Sequence, residues 1–282
     1  MKITFLGTGG GRFATISQKR MSGGFRIDNI HGFNLHVDPG PGALIRSLQY
    51  KLNPSQIDGI FISHCHTDHY NDAEILIESM TKGMIKNHGH IIGSKSVMEG
   101  VDQWGPSVSQ YHKTNSETYS LNPDDLIELD KFKLKATKTI HGDPYGVGFQ
   151  IDTGRFKLSY TSDTKYFEEL GECHKGADIL IGSVLRPGDK GLKGHMCCQD
   201  FENLVKEVEP KLAIMTHFGY KFLKGNPISE AKNIKWETGV RTLAATDGMC
   251  VDIDYKNPRK SYVKTLKPRE IPGKFGNEIY KL

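Results

Sequence analysis

In this chain of 282 residues, apolar runs end again and again on a histidine or an aspartate. "FNLHVD" closes on Asp38, "GIFISH" on His64, "KATKTIH" on His141, "FKLSYTSD" on Asp163 and "LAIMTH" on His217. Alternation and β-branched content mark most of these runs as short strands. A random scatter of His and Asp would not favour apolar strand termini so consistently. Strand ends are where a rigid sheet can hold side chains from separate segments against a common centre. Whatever this chain folds into has to allow that convergence.

Further β-type runs are "KITFLG", "GFRID" (a hairpin with "FNLHVD"), "HIIG", "DLIELD", "VGFQID", "DILIGSV", "VRTLAATD" and "CVDIDY". Between them lie helical spacings: Leu44, Ile45 and Leu48; Ala73, Leu76, Ile77 and Met80; Phe201, Leu204, Val205 and Val208, stopped by Pro210. Strands interleaved with helices over the whole length argue for an α/β architecture. With no internal repeat or linker, one domain over residues 1–255 is expected, followed by a basic tail, 256–282. Residues 82–120 are the least regular stretch. Their opening "TKGMIKNHGH" suits a mobile loop or lid over one face.

Composition sets the remaining bounds. No run approaches the roughly 20 apolar residues of a membrane span, and "MKITFLGTGG" lacks a signal peptide's apolar stretch. A cytoplasmic protein with no membrane partner is expected. Five scattered cysteines with no CxxC pair read as reduced thiols. Eight basic against two acidic residues give 256–282 a charge of +6, which leaves −2 on the rest of a chain whose net charge is +4. Such a tail can attract phosphate-rich partners or simply be a solvated terminus. A homodimer is the base-rate expectation for assembly.

The densest chemistry is "SHCHTDHY", residues 63–70. His64 and His66 alternate, so both can face one side while Cys65 faces away; Asp68 and His69 follow a turn and can serve a second metal. A lone histidine is more often structural than a ligand. Together with His141, Asp163 and His217, however, the set reads as a metal site. "GTGGGR", residues 7–12, lacks the ending of a phosphate loop and reads as a tight turn. Cys197 and Cys198 lack the second cysteine pair of a tetrahedral zinc set and read as buried or partly buried thiols.

HxHxDH at 64–69 followed by single ligands at 141, 163 and 217 resembles the metallo-β-lactamase superfamily, over roughly residues 1–250. The resemblance implies a four-layer αββα sandwich with a binuclear metal site at the sheet edge. One metal would be held by His64, His66 and His141 and the other by Asp68, His69 and His217, with Asp163 bridging. Asp38 would orient ligands without being one. The His-rich set suits zinc, and the bridging carboxylate also admits manganese or iron. Two such cations acidify a shared water, which is hydrolytic machinery.

Within that superfamily the opening "MKITFLGTGGGR" is similar to the start of RNase Z-type enzymes. "GHMCCQDFENLVKEVEPKLAIMTHFGY" resembles their pairing of a pre-helix histidine with a later ligand histidine. Through that resemblance His195 would contact a scissile phosphate, stabilising charge or protonating the leaving oxygen, and Asp68 and His195 are the residues given catalytic roles. Arg12, Lys19 and Arg20 would add positive charge nearby. The common bacterial RNase Z inserts a tRNA-gripping arm between the ligands corresponding to His141 and Asp163. Here 21 residues separate them, room for a strand, a turn and a strand. A phosphodiesterase acting on a small cyclic or nucleotide diester, or on a nucleic-acid end, is therefore expected. A carbon ester, thioester or lactone hydrolase is the alternative. A non-catalytic nucleic-acid-binding protein is the third reading.

Overall fold

A computed structural model describes residues 1–129 and 131–270. The first half runs β1 (Lys2–Phe5), α1 (Arg12–Ser17), β2 (Phe25–Ile30), β3 (Phe33–Val37), α2 (Ala43–Gln49), β4 (Gly59–Ile62), α3 (Thr67–Tyr70), α4 (Ala73–Met80), β5 (His90–Ser94), α5 (Lys95–Met98), α6 (Gln110–Lys113) and β6 (Glu117–Leu121). The second runs β7 (Leu126–Leu129), β8 (Phe132–Lys138), β9 (Val147–Asp152), β10 (Lys157–Tyr160), α7 (Leu170–Cys173), β11 (Ile179–Arg186), β12 (Met196–Cys197), α8 (Cys198–Val208), β13 (Leu212–Thr216), α9 (Pro227–Thr238) and β14 (Arg241–Ala244). Two last strands, β15 (Met249–Asp252) and β16 (Tyr262–Thr265), return to the first half.

The strands form two sheets, ordered β16-β15-β1-β2-β3-β4-β5-β6 and β14-β13-β11-β10-β9-β8-β7, with β12 beside β11. Side-chain alternation explains why several strands are apolar throughout: both of their faces are covered. In β4, Phe61 points between the sheets, where its ring meets Phe149 of the other sheet at 4.8 Å and 76°. Its neighbours Ile60 and Ile62 point outward and are covered by Leu76, Ile77 and Met80 of α4. In β13, Leu212 and Ile214 face inward, whereas Ala213 and Met215 pack beneath Phe201, Leu204 and Val205 of α8 and Ile234 of α9. Helix, sheet, sheet, helix is the expected four-layer order.

The structure departs from the sequence reading in three places. Residues 82–120 are more regular than the sequence suggests: they hold β5, α5, α6 and most of β6, and β6 pairs in parallel with β5 as the edge of the first sheet. The basic segment is not a tail from residue 256 on. Tyr262–Thr265 pairs with Met249–Asp252 antiparallel, and residues 271–282 lie outside the described residues. Helix α9 escaped the apolar-spacing reading because only Pro227, Ala231 and Ile234 are buried on it. Its signals are local instead: Asn226 caps the first turn, Pro227 opens it, and Gly239 ends it at φ 68°. All five thiols are free, with Cys197 and Cys198 buried. No helix among the described residues is long and apolar enough to cross a membrane.

Candidate metal centre

Strands β3 and β4 are parallel neighbours, so Asp38, just past β3, reaches the loop that leaves β4. Its Oδ1 accepts the Ser63 N–H at 2.7 Å and its Oδ2 accepts the Ser63 hydroxyl at 2.9 Å. Ser63 Oγ also lies 2.9 Å from His64 Nδ1. With its own proton directed to Asp38, the hydroxyl must accept from Nδ1–H, which leaves the His64 Nε2 lone pair free. Asp38 Oδ2 further accepts His69 Nδ1–H at 2.8 Å and the Tyr160 hydroxyl at 2.9 Å. One buried carboxylate thus sets the tautomer of two histidines.

The freed nitrogens gather into two clusters. In the first, His66 Nδ1 lies 2.9 Å from both His64 Nε2 and His141 Nε2. The His141 Nδ1–H donates to the Gly194 carbonyl at 2.7 Å, so its Nε2 is also a lone pair. Two lone pairs aimed at one nitrogen, which has at most one proton to give, suit a cation better than a hydrogen bond. In the second cluster His217 Nε2 is 3.2 Å from His69 Nε2 and 3.3 Å from Asp68 Oδ2. Asp163 Oδ2 lies between the clusters, 3.2 Å from His217 Nε2, 3.4 Å from His69 Nε2 and 3.8 Å from His141 Nε2. Its Oδ1 is buried without a hydrogen-bond partner, a state that costs about 1–3 kcal/mol in a protein interior unless a ligand takes it up. Convergent imidazoles and this orphaned carboxylate oxygen fit divalent cations.

Charge in the site follows from burial and neighbours. Burial alone would raise the pKa of Asp163, yet His217, His69 and His195 hold it well below the carboxylate range. Asp68 is held low too: burial opposes ionisation, and His69 and His217 outweigh it. His69 moves the other way. Burial disfavours its cation, but Asp163, Asp38 and Asp68 lift its pKa well above the usual histidine value. Burial and the charge of His69 keep His64 neutral, as a ligand must be. The site thus draws positive charge into itself, and a bound cation would satisfy the same demand.

His195 enters from the loop before α8. It does not cap that helix; Cys197 does, with Asp200 Oδ2 accepting the Cys197 N–H at 2.9 Å. The His195 ring instead meets His141 edge-on at 4.6 Å, stacks on His217 at 5.8 Å, and sets Nδ1 3.5 Å from Asp163 Oδ2. Burial lowers its pKa to about 4. The glycine turn after β1 also belongs to the site, though not as a phosphate cradle. Gly11 N–H donates to Asp68 Oδ2 at 2.9 Å, and a Cβ on Gly10 would sit 2.2 Å from the His217 ring. Glycine is what lets His217 in.

Sequence reasoning missed two aspartates. Asp143 is fully buried and accepts the Cys65 N–H at 2.9 Å, the Ser96 hydroxyl at 2.6 Å and the Tyr145 N–H at 3.0 Å. It ties the histidine loop to the turn after His141. Asp247 accepts the Thr8 N–H at 2.9 Å and hydroxyl at 2.7 Å, and the Met21 N–H at 2.9 Å, fixing the glycine turn. Both occupy Gly-containing turns just past β-runs, "HGDPYG" and "ATDG", the pattern that singled out Asp38. Arg20 is structural: it donates to Thr8 Oγ1 at 3.0 Å and to the Ala245 carbonyl at 2.8 Å. Arg12 and Lys19 are exposed, and the Lys19 ammonium donates to the Tyr220 hydroxyl at 3.3 Å.

Residues 33–218 match the family model described as the beta-lactamase superfamily domain. An uncharacterized protein of Methanocaldococcus jannaschii is 43% identical over 256 residues, 90% of this chain and 95% of that one. A protein of Thermoplasma volcanium named Ribonuclease Z is 28% identical over 310 residues, covering 91% of this chain and 99% of that one. Among solved structures, a metallo-beta-lactamase fold protein from Bacillus subtilis superposes with a TM-score of 0.72 at 22% identity, over 88% of this chain and 98% of the other.

Proposed function

The chain belongs to the metallo-β-lactamase superfamily of metal-dependent hydrolases, and we propose that within it the protein is a binuclear phosphodiesterase. His64, His66 and His141 would hold one zinc ion and Asp68, His69 and His217 a second, with Asp163 shared between them. When bound, the cations supply Lewis acidity towards a phosphoryl oxygen and acidify the attacking water. The rest falls to the chain. Asp38 fixes two ligand tautomers, directly at His69 and through Ser63 at His64. Asp68 and Asp163 balance charge, and the Gly11 N–H holds Asp68 in place.

The observation that carries the phosphodiester reading is His195. Its ring lies against ligand candidates of both clusters, His141 and His217. Lowered to about 4 by burial, it meets substrate as a neutral imidazole that can donate one N–H to a phosphoryl or leaving oxygen. The 28% identical relative named Ribonuclease Z supports phosphodiester chemistry. The segment between His141 and Asp163 is the β9–β10 hairpin, so no substrate arm stands there, and a compact substrate or a nucleic-acid end fits better than a gripped tRNA. Turnover of bis(p-nitrophenyl) phosphate by zinc- and manganese-loaded protein tests this. A chelator-sensitive rate is expected. No rate from protein shown to hold metal, beside turnover of a thioester or lactone, would overturn it.

A further inference from the structure

The segment that resisted sequence reading reaches the metal centre. Residues 99–109 pack against the histidine loop through Ser107, whose hydroxyl donates to Cys65 Sγ at 3.2 Å and whose N–H donates to the Val97 carbonyl at 2.9 Å. Gly105 comes so close that a Cβ there would lie 1.9 Å from the Ser96 carbonyl oxygen, at a φ of +64°. Val101 and Trp104 exchange N–H···O=C bonds of 2.8 and 2.9 Å, closing a tight turn that displays Asp102 and Trp104. The Trp104 indole meets the His66 ring at 5.4 Å and 74°. From the other side comes Tyr145, whose hydroxyl points to Asp102 Oδ2 at 3.4 Å and whose N–H is held by Asp143. Trp104 and Tyr145 are partly exposed and Asp102 is exposed.

Trp104 belongs to none of the three apolar clusters among the described residues. A large aromatic ring that packs on a candidate metal ligand, partly open to solvent, with a second aromatic and a carboxylate beside it, has the form of a recognition wall. Aromatic faces bind planar rings by stacking. A hydroxyl and a carboxylate at the rim accept from the amino and imino groups that such rings carry when they are nucleobases. We propose that Trp104, Tyr145 and Asp102 form a base-binding subsite beside His66, so that the substrates are nucleotide diesters whose base stacks on Trp104. This rests on the phosphodiesterase reading and adds to it which side group the substrate carries.

Trp104 and Trp236 are the two tryptophans of the chain, so Trp236→Phe leaves Trp104 as the sole indole reporter. The zinc-loaded protein is titrated with adenosine 5′-monophosphate and with ribose 5-phosphate, which carry the same phosphate and differ in the base. The nucleotide should quench the indole emission and bind about tenfold tighter, equivalent to about 1.4 kcal/mol. By calorimetry on chains that retain Trp236, Trp104→Ala should bring the nucleotide to the affinity of ribose 5-phosphate, and Trp104→Phe should keep most of the difference. Equal binding of the two ligands, or a base advantage untouched by Trp104→Ala, would overturn the subsite while leaving the diesterase reading intact. Binding of neither, together with no turnover of bis(p-nitrophenyl) phosphate, would overturn both.

Discussion

Replacing Asp38 by Asn should damage both metal positions at once. The carboxylate accepts four hydrogen bonds: Ser63 N–H at Oδ1, and Ser63 Oγ, His69 Nδ1 and Tyr160 OH at Oδ2. An amide keeps one acceptor oxygen. Placed at the Oδ2 position, it preserves three bonds but sets NH2 against the Ser63 N–H; turned over, it sets NH2 against three donors. The first arrangement costs less. It loses one charge-assisted bond, worth roughly 1.5–3 kcal/mol, and weakens the other three. Residues that orient metal ligands typically contribute 10–100-fold to affinity. Because Asp38 holds His69 directly and His64 through Ser63, both ions of the proposed pair, tested as zinc, should bind about 10–100-fold more weakly. Competition with a chromophoric chelator reads the two affinities, and thermal unfolding of the metal-free variant reports the stability loss. Ser63→Ala is the control: it cuts only the branch to His64 and should weaken one zinc ion. Asp38→Asn with two undisturbed affinities would refute the relay, and loss of one ion alone would refute its Ser63 branch.

Four further outcomes are expected. His66→Ala should lose one zinc ion and all measurable diesterase activity; normal turnover would remove His66 from the ligand set. His195→Ala should retain both ions yet lose roughly 10²-fold or more in rate, whereas an unchanged rate would take His195 out of the mechanism. Asp143→Ala strands three buried or half-buried donors and should destabilise the fold by about 3 kcal/mol or more in urea denaturation; a loss below about 1 kcal/mol would contradict its pinning role. His174 is buried and its pKa falls to about 3, below the roughly 6.5 of an unfolded chain. The unfolded state therefore binds its proton first, and stability is lost as pH falls from about 6.5 towards 3. Between pH 7 and 4.5, wild type should lose roughly 2–3 kcal/mol more than His174→Gln, and parallel losses would refute this.

How much of this was legible in the sequence depended on the range of the interaction. The seven candidate ligands and Asp38 could be read because each follows or ends an apolar run, and strand ends are places that chain-local patterns reveal. The helix layers were legible where one face carries a full apolar stripe, as Phe201, Leu204, Val205 and Val208 do on α8. Helix α9, which buries little, left only its terminal signals. Asp143, Asp247 and Trp104 were hidden for a different reason. Each has a decisive partner far along the chain, Cys65 for Asp143, Thr8 for Asp247 and His66 for Trp104, and although the two aspartates sit in turns like that of Asp38, no local periodicity encodes such a pairing. The strand Tyr262–Thr265 was obscured by the charge in and around it, since an edge strand with an exposed lysine, Lys264, between Lys260 and Lys267 reads like a solvated terminus.

The bond between Thr8 and Asp247 spans 239 positions, and β1 lies between β2 and β15 in the first sheet. During synthesis the glycine turn that holds Asp68 therefore waits for nearly nine-tenths of the chain before its clamp arrives. Until Asp247 is made, the Thr8 and Met21 groups that it pins lack that partner. The same separation raises contact order, which slows folding relative to helical proteins of equal stability. Of the residues that fix the candidate centre, Asp247, in the turn between β14 and β15, is the last to be made.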